Sequence, residues 1–262
     1  MKSSGYIQYL KKQNKRHLLV FIWQIVLLVF LIVIWQLAAN LGLINTFITS
    51  SPKNVLHTII NLYLQHNLWH HILITTYETF VSFLLGTILG IGIAIILWYH
   101  PFLAKVVDPY LTIFNSLPKV SLGPILIIWV GANTKSIIVM ALLISLIVTV
   151  ISVYNGFIST DIHKVKLLRS FNASRMQMLQ FLILPYNYKT IISSLKINIS
   201  MSMIGVIMGE LLVSKSGIGY LIMYGSQVFN LDLVITGIFI LMIVSALLYF
   251  LVKYFEKILI KY

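Results

Sequence analysis

Glu210 stands inside an apolar stretch, near the end of the run 190–213. A carboxylate there has three uses: pairing with a lysine on a neighbouring helix, stabilising a gate, or facing a permeating solute. Lys119 and Lys196 are the other charges set within apolar runs. On a path, a lysine would compensate the desolvation of an anionic solute. Lys196 has a second reading, snorkelling toward the nearer water face. Catalysis finds little support. The six acidic residues are far apart, and the seven histidines form no HExxH pattern and have no carboxylate cluster beside them. Paired-carboxylate, Ser–His and metal-assisted hydrolysis each need a constellation that this spacing does not supply. We therefore expect no catalytic residues and no metal site. Cysteine is absent, which excludes disulfides and thiolate ligands. Nothing matches G-x-x-x-x-G-K-[ST], so the chain has no P-loop of its own and is expected to bind no cofactor. If ATP drives it, a partner subunit supplies the ATP chemistry.

The elements that position these residues are membrane spans. The 262 residues are 59% apolar and only 10% charged. A formal charge of +13 would suggest nucleic acid in a soluble protein. Here the apolar fraction points to a lipid bilayer instead, with no nucleic-acid partner. A helix needs about 20 mostly apolar residues to cross, since lipid offers its backbone no hydrogen bonds. Six runs qualify: 18–43, 72–99, 109–131, 136–157, 190–213 and 231–254. The first is too long for a signal-peptide core and carries Trp23 and Trp35 as interface anchors. The third contains Pro118 and Pro124, which predict a kink or break. Expected is an all-α membrane protein: a basic tail over 1–17, then one six-span domain over 18–258.

Charge fixes the expected orientation. Lys2, Lys11, Lys12, Lys15 and Arg16 precede span one. Lys105 follows span two, five basic residues occupy 159–189, and Lys253, Lys257 and Lys261 close the chain. Alternating spans put these fourteen on one side and leave Lys53, Lys135 and Lys215 on the other. The excess of positive charge marks the cytoplasmic side, so both termini and 159–189 are expected inside, with 44–71, 132–135 and 214–230 outside.

The segment 159–189 is polar, basic and not a span. Asp161 can cap a helix over 162–171 that places Val165, Leu168 and Phe171 on one face. Asn172 tolerates the left-handed turn that would stop it. Ser174 can cap a second helix, 175–184, ending before Pro185. Spacing alone fits either a hairpin lying on the membrane surface or a docking site for a partner. Gly86 with Gly90, and Gly205 with Gly209, make small-xxx-small faces that let helices approach closely.

The stretch RSFNASRMQMLQFLILP resembles the cytoplasmic signature loop of binding-protein-dependent ABC permeases. SLPKVSLGPILIIWVGA and GELLVSKSGIGYLI look like further segments of the nitrate, taurine and alkanesulfonate branch, and the likeness runs collinearly through about 70–258. The resemblance implies a cytoplasmic coupling-helix hairpin between spans four and five that docks an ATPase subunit. Asn172, Ala173, Ser174 and Arg175 would lie near the contact tip, with Leu168, Phe171 and Met178 supporting it and Pro185 closing the motif. Gly217 and Gly219 match an element near the family's extracellular gate. Two positions depart from the pattern: Lys166 replaces a Glu and Asn172 replaces a Gly. The implied partners are two ATPase subunits, an extracytoplasmic solute-binding protein and a second copy of the chain, in a bacterial inner membrane. The implied cargo is a small organic anion, a sulfonate or taurine favoured, with nitrate or a thiamine-precursor pyrimidine as the alternative. A self-sufficient secondary transporter would need midplane carboxylates, for which Glu210 and Glu78 are the candidates, and would leave 159–189 unexplained.

Overall fold

The computed structural model of the chain describes residues 4–65 and 67–260, and every regular element among them is helical. In order these are α1 (Ser4–Asn40), α2 (Thr46–Thr49), α3 (Pro52–Leu64), α4 (Leu68–Tyr99), α5 (Pro101–Ser116), α6 (Gly123–Val130) and α7 (Thr134–Ile158). Then follow α8 (Ile162–Ser170), α9 (Arg175–Met178), α10 (Leu184–Tyr186), α11 (Tyr188–Val213), α12 (Ile218–Gln227) and α13 (Leu231–Ile260). A 3-10 turn spans Lys119–Leu122 and a π-helical turn spans Leu179–Ile183. Five helices, α1, α4, α7, α11 and α13, are long and apolar enough to cross a bilayer. The bent pair Pro101–Ser116 and Lys119–Val130 makes a sixth if counted as one span.

Several boundaries differ from the sequence reading. The third span does not begin at 109: α5 starts at Pro101, whose missing N–H costs nothing at a helix's first position. Lys105, read as part of a link, therefore belongs to α5, and Pro109 is carried inside it. The expected break is real and sharp, 91°. Leu117 takes the extended conformation that a residue before proline prefers, and α5 ends there. The basic tail is continuous with span one, because α1 starts at Ser4. Lys2 and Lys261 lie outside the described residues. Neither 44–71 nor 214–230 is simply loop. Ser51 caps α3 by accepting from Asn54 N–H at 3.2 Å, and α12 fills most of the second segment.

The centre of the bundle is α7, with α4 on one side and α11 on the other. In lipid the hydrophobic effect does not pull helices together, so close packing must. Both glycine pairs serve this. A Cβ on Gly205 would lie 2.4 Å from Ala141 Cα, and one on Gly209 would lie 3.0 Å from Ile137 Cα. Gly86 and Gly90 stand as close to Ser145 and Thr149 on the other flank. By contrast α1 is exposed from Leu18 to Ile34. Among the described side chains it meets the rest at one end, where Trp35 stacks on Phe239 at 5.8 Å and Gln36 accepts from Lys53 N–H at 3.0 Å.

Candidate functional site

Two polar assemblies occupy opposite ends of the bundle. Arg175 contacts the last residue of α4, Tyr99, whereas His71, near its start, contacts Gly217. At 1.5 Å rise per residue these points are about 40 Å apart.

The first assembly is the hairpin formed by α8, α9, the π turn and α10. Asp161 caps α8, its Oδ1 accepting from His163 N–H at 2.9 Å. Asn172 stops it with φ +54°, and Ala173 N–H donates to Leu168 O at 3.1 Å. Ser174 and Gln177 make a reciprocal capping box at the start of α9. Those three caps match the sequence reading. The end of the second helix does not. The run continues through Pro185 because the π turn bonds Leu184 N–H to Leu179 O, five residues back. Widening the helix just ahead of the ring lets the proline follow without ending the run.

Tertiary contacts seat this hairpin. Arg175 Nη1 donates to Tyr99 O at 2.6 Å, capping the C-terminal end of α4. Asn187 Nδ2 donates to Thr160 Oγ1 at 2.7 Å and ties the two ends of the segment together. Leu179 and Ile183 are buried against Ala94 of α4 and Val153 and Phe157 of α7. Met178 is buried beside them in sequence. The tip stays open, with Asn172, Ser174 and Arg175 exposed and Ala173 half-buried; on the arms, Lys166 and Pro185 are exposed and Leu168 is half-buried. Phe171 is 73% exposed, so within one chain it supports nothing. Leu167 and Met176, four residues before it and five after, are exposed as well, as are Lys164, Lys166 and Arg169 on α8.

The second assembly starts from Glu210, which pairs with no lysine among the described residues. It is 1% exposed. Its Oε1 accepts from Thr75 Oγ1 and its Oε2 from Gly219 N–H, both at 2.6 Å. Ile218 N–H donates to Thr75 Oγ1 at 2.8 Å and Gly217 N–H to His71 Nδ1 at 2.9 Å. Three successive amides at the start of α12, which a helix cannot satisfy itself, are thus captured by side chains of α4 and α11. A Cβ on Gly217 or Gly219 would meet the Glu210 side chain at 2.4 Å or 2.7 Å. Gly217 also has φ +110°. The glycines are there for that close approach. Glu78 is buried beside Glu210.

The remaining candidates are dispersed. Lys119 Nζ donates to Asn115 O at 3.0 Å, at the C-terminal end of α5 beside the bend. Lys196 pairs with Glu256 of α13 at 3.0 Å, so its charge is neutralised. Sequence reasoning put His71 in an outer loop, whereas it is buried in α4, and missed Thr75. The signal was present: His71, Thr75, Glu78, Ser82, Gly86 and Gly90 recur every three or four residues and form one buried stripe on α4.

Residues 86–261 match the family model described as the binding-protein-dependent transport system inner membrane component. A probable ABC transporter permease protein of Haemophilus influenzae is 31% identical, over 84% of this chain and 89% of its own. The putative aliphatic sulfonates transport permease protein SsuC of Bacillus subtilis is 28% identical, over 88% and 84%. Among solved structures, the inward-facing methionine ABC transporter MetNI aligns with a TM-score of 0.64 at 20% identity, covering 73% of this chain and 95% of that one. The seated hairpin, the packed spans and these matches lead to one conclusion: the chain belongs to the inner-membrane permeases of binding-protein-dependent ABC importers.

Proposed function

We propose that the permease carries a small organic anion, a sulfonate in the first instance. In this reading a solute-binding protein delivers the anion outside, and the hairpin is driven by an ATPase subunit bound inside. The observation that carries the coupling role is the hairpin's construction. Its tip is exposed and capped and is tied to the end of α4 by Arg175, while its base is packed on α4 and α7. A load applied at the tip reaches those two spans through packed side chains, as rigid-body rocking of a bundle requires. Phe171 then takes a contact role in the ATPase cleft rather than a supporting one. Lys166, in place of an acid, gives the contact surface a positive sign.

A second copy of the chain completes the transport unit. Asp108, Thr112, Asn115 and Ser116 lie along one face of α5 and are exposed. A polar stripe on a spanning helix belongs against protein or water, not lipid. Pairing two chains across that stripe would give a polar path. The sulfonate reading rests on the named relative and on the surplus of cationic side chains. The charge distribution supports a cytoplasmic position for both termini and the hairpin.

Ala173→Glu tests the coupling. A bulky acid at the half-buried tip should abolish co-purification of the ATPase while membrane insertion persists. Unchanged co-purification refutes the docking role. The cargo is read by ATP-dependent uptake of labelled ethanesulfonate in cells with and without the gene. Loss of pyrimidine-precursor uptake instead of ethanesulfonate uptake overturns the sulfonate assignment.

A further inference from the structure

At the Gly217 end, α3, the first turns of α4, the link before α12, α12 itself and the start of α13 line an open cavity of about 580 Å³. That volume falls within the range of small-molecule sites. Its wall has one sign. Lys215 and the His70–His71 pair line it, with Asn61 among several amides, and no Asp or Glu side chain does. Of the nearby carboxylates, Asp232 accepts from Ser50 and Asn54, Glu210 accepts from Thr75 and Gly219, and Glu78 is buried beside Glu210 outside the lining. Among the described residues Lys215 makes no ion pair.

His71 is a built element of this wall. It is only 8% exposed, and its Nδ1 accepts from Gly217 N–H. A nitrogen that accepts cannot carry the ring proton, so in the neutral ring Nε2 carries it and remains a free donor. The same ring stacks on Tyr220 at 5.9 Å, and Tyr220 stacks on Tyr224 at 5.8 Å. Donors without acceptors of negative charge suit an oxyanion head group, and a stacked aromatic ladder suits a short apolar tail.

We propose that this cavity is a binding subsite for a small organic oxyanion within the permease, on its solute-receiving side. Lys215 and the His70–His71 pair hold the head group, and the Tyr220–Tyr224 ladder holds the tail. The inference rests on the organic-anion reading above and adds a stopping point between the delivering protein and the path.

The test uses the complete permease–ATPase complex in nanodiscs, without the solute-binding protein, and labelled ethanesulfonate in equilibrium dialysis. Saturable binding is expected, about tenfold weaker in Lys215→Ala, the size of one charge-assisted hydrogen bond. Lys53→Ala removes the same charge at the same end, outside the cavity, and should leave binding unchanged. Absence of saturable binding overturns the subsite, as does an equal loss in both variants. So does a Lys215→Ala complex that loses affinity only for its solute-binding protein, which would make the cavity a docking contact. ATP-driven ethanesulfonate uptake by the same complex with its binding protein separates the two readings. Uptake without permease binding removes the subsite alone, and absence of both removes the sulfonate assignment as well.

Discussion

Glu210→Met tests whether one carboxylate holds the start of α12. The two hydrogen bonds fall on different oxygens, from Thr75 Oγ1 and from Gly219 N–H, each at 2.6 Å. A thioether is only a weak acceptor, so Gly219 N–H loses its partner and Thr75 O–H must turn elsewhere. Methionine matches glutamate in length, and no cavity opens. Losing one buried bond and stranding its donor costs about 1–3 kcal/mol. At 1.4 kcal/mol per factor of ten, local opening should rise roughly 5- to 140-fold. Hydrogen exchange of the permease–ATPase complex, followed by mass spectrometry, reads this directly. The peptide over 216–221 should exchange faster by that factor, while peptides from the middle of α7 stay protected. Thr75→Val removes both the donor to Glu210 and the acceptor for Ile218 N–H, and should open the same peptide. If both variants protect 216–221 as well as the wild type does, the side chains are not what holds this helix, and the reasoning fails.

Two further outcomes follow from packing and charge. Gly205→Val should lower thermal stability in detergent, by about 1–3 kcal/mol for an overpacked contact, because its Cβ would meet Ala141 Cα at 2.4 Å and backbone cannot step aside. Gly92→Ala has nothing within 4 Å and should be neutral, so equal behaviour of the pair would refute the close-approach account. A C-terminal tag should resist membrane-impermeant reagents added to intact cells, and its labelling would overturn the cytoplasmic placement drawn from the charge count.

Much of this architecture is written locally. Apolar run lengths mark the spans, because lipid forces each crossing segment to satisfy its own backbone. The caps at Asp161, Asn172 and Ser174 follow from short-range side-chain chemistry and occur where the residues suggest. The glycine pairs at 86/90 and 205/209 show which faces must touch, though not which partner they touch; the fold assigns both to α7. What local rules mispredicted was Pro185. A proline ordinarily ends a helix, and only the π turn, held by burial of Leu179 and Ile183 against α4 and α7, carries the chain past it. Span three was likewise placed by its apolar run, whereas Pro101 sets where the helix begins.

The chain by itself determined its class: a helical membrane protein whose apolar periodicity, charge asymmetry and signature segment mark a permease. Tertiary structure decided what its charged residues do. Glu210 offered a lysine partner, a gate or a solute contact from sequence, and folding gave it the amide of Gly219, nine residues on, and Thr75 on another helix. Lys196 offered a path, and folding gave it Glu256. Hydrophobic length is a property of neighbouring residues and can be read along the chain. The partner of a buried charge is set by which helix comes to lie beside it, and that is settled only when the bundle packs.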